Sequence, residues 1–280
     1  MSQETNTSDV TCVITTDQGQ LTRGDAVDFL RTLPDASVRL IVSSVWFTGP
    51  YDITSDNPTC RPFSEWFRRF MKEFERVLLP DGSVVLEMGC TWASDGPVRT
   101  IQNYAALADL LEEGQWHLLQ EFYWYNPQLL YAREEWVDEQ RVRMHDSVST
   151  WYWFSRTKDV PVDTTKVRMF QSSLTHPFGN LLTMGDSYTD FQYLDQCAAE
   201  GTEPHIDRYP VALPLYFMEL LTSEGEHVVD PFVGIGSTAV AAELSGRTWS
   251  CNDMSADVID VAKERIRSLR SVDRNTLPGV

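Results

Sequence analysis

The residues best suited to chemistry lie late in the chain, in Val228-Val229-Asp230-Pro231-Phe232-Val233-Gly234-Ile235-Gly236-Ser237-Thr238. The valines end an apolar run, the glycines permit close backbone approach or positive φ, and Ser237 or Thr238 can cap the Ala-rich helix that follows. A strand, a glycine turn and a helix N-terminus in this order can cradle a nucleotide-like ligand with backbone N–H groups. The next apolar run ends in Asn252-Asp253-Met254. A carboxylate at such a strand tip accepts hydrogen bonds from ribose hydroxyls, and Met254 can lie against an adenine face. No Gly-x-x-x-x-Gly-Lys-Ser/Thr loop is present, which argues against a P-loop triphosphatase, and the turn departs from the three-glycine dinucleotide fingerprint. The bland alternative is an ordinary tight turn of an α/β protein.

The elements that must position this turn follow from periodicity. Short helices are expected between Leu21 and Leu33, over Ile101–Glu113, Phe191–Glu200 and Pro214–Thr222, and an amphipathic one over Ala256–Leu269. Apolar residues at helical spacing from Phe63 to Leu78 predict a longer helix that stops at Pro80-Asp81-Gly82. Strands are expected over Ser37–Ser43, Val84–Met88, Trp116–Tyr125 and Ser147–Ser155, the first running into the aromatic turn Ser44-Val45-Trp46-Phe47. Strands alternating with helices indicate an α/β fold with a mostly parallel sheet and helices on both faces.

Composition narrows the partners. No apolar run reaches membrane-spanning length and the first residues lack an export signal, so a soluble cytoplasmic protein with no membrane partner is expected. The five cysteines are scattered and form no C-x-x-C pair, which argues against disulfides and a metal site. A net charge of −18 repels phosphates at long range, so any grip on a polyanion needs a local basic patch. Nineteen Arg and four Lys against 41 acidic residues suit a halophilic protein whose repulsions are screened by salt.

Several stretches together carry a resemblance: Leu33-Pro34-Asp35-Ala36-Ser37-Val38, Leu79-Pro80-Asp81-Gly82-Ser83, Phe122 to Pro127, Asp146-Ser147-Val148 with Trp153-Phe154-Ser155-Arg156, Asn180-Leu181-Leu182, His205 to Pro210, and Asp230-Pro231-Phe232 with its glycines. In this order they resemble the β class of DNA amino-methyltransferases, and more closely its N4-cytosine branch of restriction-modification type, over nearly the whole chain. The resemblance implies one methyltransferase domain over residues 1–280, with a DNA-facing, target-recognition region at 131–180. It implies S-adenosyl-L-methionine as cofactor, with Asp230, Phe232, Gly234 and Gly236 around its methionine part, Asp253 on the ribose and Asp25 near the adenine. Ser237, Thr238 and Met254 complete that set; for Asp25 a helix N-cap is an equal and compatible reading.

Direct methyl transfer to an exocyclic amine needs hydrogen-bond acceptors on the amine protons, because its lone pair is delocalised into the ring. The family draws them from a Ser-Pro-Pro-aromatic motif, which the resemblance places at Ser44, Val45, Trp46 and Phe47, with both prolines replaced. An alternative register puts Thr48-Gly49-Pro50-Tyr51 there. No cysteine follows a proline, so covalent attack on the ring is not expected. Serine at 44 favours cytosine N4 over adenine N6, and the altered motif leaves a catalytically silent DNA- or cofactor-binding protein as the alternative class. Arg133, Arg141, Arg143, Arg156, Lys158, Lys166 and Arg168 are the candidate DNA contacts, unless neighbouring acids pair with them on a solvated face. Trp153, beside Trp151 and Tyr152, is the candidate lining of a flipped-base pocket. Expected partners are double-stranded DNA, a second copy reading a palindrome, and a cognate restriction endonuclease.

Overall fold

The computed structural model describes residues 10–45, 61–89, 96–125, 135–170, 179–205 and 208–269. A hairpin of β1 (Thr11–Thr15) and β2 (Gly19–Arg23) leads into helix α1 (Ala26–Thr32) and then β3 (Val38–Ser44). After α2 (Arg61–Val77) come β4 (Leu78–Glu87), α3 (Gln102–Glu112), β5 (His117–Tyr125) and β6 (Val148–Ser155). The remaining elements are β7 (Leu181–Leu182), α4 (Tyr188–Glu200), α5 (Ala212–Leu221), β8 (His227–Asp230), α6 (Ser237–Leu244), β9 (Thr248–Asp253) and α7 (Ala256–Ser268). They build one sheet of order β1-β2-β9-β8-β3-β4-β6-β5-β7. Strands β2, β9, β8, β3 and β4 are parallel neighbours, while β6 runs antiparallel to both β4 and β5.

The central strands carry apolar side chains on both faces because helices cover both. Leu40, Val42, Val85 and Trp151 face α5, α6 and α7; Ile41, Val84, Leu86 and Phe154 face α1, α2 and α3. Period-two alternation along each strand makes this division. Pro80-Asp81-Gly82 does not end one element before another begins. It is a bulge inside β4, with the register to β3 shifting between Val38 and Leu40. A side chain at Gly82 would meet Leu78 at 2.8 Å and the Val38 carbonyl at 3.1 Å, so the chain crosses there on glycine. Among the described residues no helix is long and apolar enough to cross a membrane.

Candidate functional site

The five parallel strands deliver their C-terminal ends to one edge of the sheet. From β3 the chain passes through α2 to β4, and from β8 through α6 to β9; β4 and β9 lie on opposite sides of the β3–β8 pair. That divergence opens a crevice above the strand ends, where open α/β sheets bind ligands.

The glycine turn forms one wall. Gly234 sits at φ +52, donates its N–H to the Asp253 carboxylate at 3.0 Å, and has open space where a Cβ would stand. Gly236 serves a different end. At φ +90 it passes so close to α7 that a Cβ would lie 3.0 Å from that of Ala262. Asp253 also accepts from the Ser255 N–H at 2.9 Å, and two carboxylate oxygens offer about four acceptor positions, so ribose hydroxyls still fit. Asp25 caps α1 by accepting from Val27 and Asp28. Phe232 packs against Trp66 and Phe70 of α2. Met254 is 65% exposed and lines a cleft of about 410 Å³ with Gly24 and Ile259.

Three residues expected around the cofactor point inward instead. Asp230 is fully buried and accepts from Ser43 Oγ at 2.5 Å, Thr238 Oγ1 at 2.6 Å, and Tyr209 Oη and the Phe232 N–H at 3.0 Å each. Burial raises its pKa from 3.8 to about 6 against the pull of those donors. Ser237 Oγ donates to the Tyr209 carbonyl at 2.8 Å, and Gly236 rather than a hydroxyl residue caps α6. Asp230, Ser237 and Thr238 therefore shape the turn from behind, since each side chain spends its polar atoms on buried neighbours.

The second wall is the end of β3. Ser44 Oγ donates to Glu87 Oε2 at 2.6 Å, toward β4 and away from β8. Val45 buries its side chain and donates its N–H to the Glu87 carbonyl at 3.1 Å. Register places Ile41 opposite Val229, so the chain beyond Ser43 runs level with the start of the glycine turn. Trp46, Phe47 and the alternative Thr48–Tyr51 lie outside the described residues. Glu87 went unread in the sequence; its signal was an acid closing an otherwise apolar strand.

A cavity of about 290 Å³ adjoins this wall, between the ends of β4 and β6 and the start of α3, with Glu87, Arg99, Tyr104, Asp146 and Tyr152 on its lining. Arg99 is ion-paired with Asp146.

The described basic residues do not form one patch. Arg141 and Arg143 are exposed just before β6, at the crevice edge, with Arg143 donating to the Pro97 carbonyl at 2.7 Å. Arg156 and Lys158 follow the other end of β6, roughly 25 Å away at strand rise, and Arg156 pairs with Glu75 of α2. Lys166 pairs with Asp163, whose N–H is bound to Leu220 near the end of α5, again on the far edge. Arg168 is exposed on the same short 3-10 turn, and Arg133 lies outside the described residues. Trp153 is a core residue, not a DNA contact: it is 7% exposed, packs against Phe122 and donates to Ser83 Oγ, because alternation turns it inward. Tyr152, one position away, reaches the cavity.

Comparison with known proteins agrees with this fold. The model of the DNA methylase family of N6/N4 methyltransferases matches residues 38–264. The Type II methyltransferase M.PvuII of Proteus hauseri is 31% identical over 277 residues, covering 88% of this chain and 82% of that protein. A solved PvuII DNA methyltransferase, described as cytosine-N4-specific, superposes with a TM-score of 0.78 at 31% identity, covering 93% of this chain and 89% of that one. TTHA0409 of Thermus thermophilus, solved with S-adenosyl-L-methionine, shares the fold at a TM-score of 0.59 and 18% identity, over 89% and 94% of the two chains.

Proposed function

Because the chain belongs to the DNA methylase family of N6/N4 methyltransferases, we propose that it methylates the exocyclic N4 of cytosine at a specific site in duplex DNA, on a base turned out of the helix. The observation that carries this reading is the Ser44–Glu87 pair at the crevice, one strand from the glycine turn. The cofactor is S-adenosyl-L-methionine, and when bound it supplies a methyl group made electrophilic by its sulfonium. Gly234, with its open side, Phe232, Asp253 and Met254 fit that group, the carboxylate taking the ribose and the exposed thioether the adenine.

The chain's own part is to make the amine a nucleophile. Glu87 takes the Ser44 proton in a hydrogen bond, so the lone pairs of Ser44 Oγ are left to accept from the amine. In the transfer the N–CH3 bond would form as the methyl carbon's bond to sulfur breaks, its electron pair staying on sulfur, and the nitrogen's positive charge would be relieved by loss of an N–H proton to Ser44 Oγ, whose own proton passes to Glu87. Similarity to a cytosine-N4-specific enzyme supports cytosine over adenine.

The reading extends to recognition of a short palindrome by a homodimer through residues 131–180, in the cytoplasm, beside an endonuclease of the same specificity. It also takes in a halophilic source. Digesting duplex DNA treated with labelled cofactor and separating its nucleosides tests the proposal: N4-methylcytosine is expected, and N6-methyladenine alone would replace it with the adenine reading. Ser44→Ala should lower turnover by about 10²–10⁴-fold while cofactor affinity holds. Binding of cofactor or DNA without any product would leave the silent protein.

A further inference from the structure

We propose that Arg99, held by Asp146, donates to the 2-oxo group of the target cytosine and so selects this base over adenine. The inference rests on the methyl-transfer reading above and adds the residue that enforces it.

The cavity of about 290 Å³ shares Glu87 with the Ser44 hydrogen bond, so it begins where the amine would be held. Its lining also carries Arg99, whose Nη2 is ion-paired with Asp146 Oδ2. A guanidinium holds five donors in one rigid plane, and an anchoring carboxylate fixes the direction of that plane. The lining therefore offers both carboxylate acceptors and a fixed cationic donor. Tyr152, only 4% exposed, and Tyr104 add aromatic surface to the same lining.

Cytosine presents an amine donor, the N3 acceptor and the O2 acceptor along its pairing edge. Adenine presents the amine and the N1 acceptor, but a C–H where cytosine has O2. A donor fixed opposite the third position is satisfied by cytosine and left unpaired by adenine, and sites built to hydrogen-bond a group discriminate strongly against analogues that lack it. Arg99 and Asp146 are each about one-third exposed, which tempers the penalty to an expected 10–10²-fold.

The test compares wild type with Arg99→Met and Arg99→Lys on duplexes whose target is cytosine, 2-thiocytosine, a weaker acceptor at that edge, or adenine. Single-turnover rates, affinity for a duplex lacking the site and melting temperature are recorded. Wild type should slow about tenfold or more on 2-thiocytosine. Arg99→Met should slow 10–10²-fold on cytosine, lose its sensitivity to the sulfur, and gain on adenine relative to cytosine, with non-specific affinity unchanged. Should Arg99→Met fail to fold, Arg99→Lys, which keeps the charge but not the fork, should show the same blunted thio effect. An undiminished thio effect in the variants, or wild-type rates on cytosine, overturns the assignment. A wild type that yields no N4-methylcytosine on any duplex overturns the methyl-transfer reading itself, and this inference with it.

Discussion

In the proposed register of the family motif Val45 takes the place of a proline, and its N–H shows what that exchange would do. The bond from Val45 to the Glu87 carbonyl is one that proline cannot make, so the β3–β4 ladder runs one residue further and clamps the strand beneath Ser44. The altered motif thus has a structural account, and Glu87 is held by both its carboxylate and its backbone. Glu87→Gln should retain a hydrogen bond to Ser44 but lose the proton sink, so turnover should fall by about 10²-fold or more while cofactor affinity holds; unchanged turnover would remove Glu87 from the proton path. Asp230 offers a second residue-level prediction. Its pKa is raised by burial from 3.8 to about 6, so the folded state binds more protons than the unfolded state between those values. Stability is then fullest below about pH 4 and declines as pH rises to about 6, by roughly 3 kcal/mol for this group alone. Denaturation of wild type and Asp230→Asn across pH 4–7 should show that component in wild type only.

At the scale of elements, the crevice depends on α7 docking against the glycine turn. Gly236→Ala should destabilise by about 2–4 kcal/mol, from left-handed backbone on a non-glycine residue together with overpacking against Ala262, as read by urea unfolding. A loss below about 1 kcal/mol would mean that α7 yields there. The helices and central strands were legible because their apolar periods are strong: α2, α3, α5 and α7 fall within a few residues of expectation. The β1–β2 hairpin was not, since its short strands are polar and half-exposed. Nor was the inward aim of Ser237 and Thr238, because a hydroxyl beside a glycine turn reads alike whether it faces a ligand or Tyr209. The basic residues misled for a related reason. Proximity in sequence set Arg143 and Arg156 together, and an intervening strand carried them to opposite edges.

For the whole molecule, charge sets the working conditions. With a net charge of −18, self-repulsion should ease as the Debye length shrinks from about 10 Å at 0.1 M salt to about 3 Å at 1 M. Melting temperature should climb over that range, while DNA affinity falls with the release of counterions; a flat melting curve would count against a salt-adapted surface. The strand order carries a last consequence. Between β2 and β3, the earliest parallel strands to be made, the sheet inserts β9 and β8, the latest. Until those two arrive, the amino-terminal hairpin has no partner linking it to the rest, and both flanking edges stand open. The enzyme is therefore assembled as an arch is, by a keystone: a ribosome must release the chain through β9 before any methylating centre can exist, and a product cut short of that strand is inert by construction.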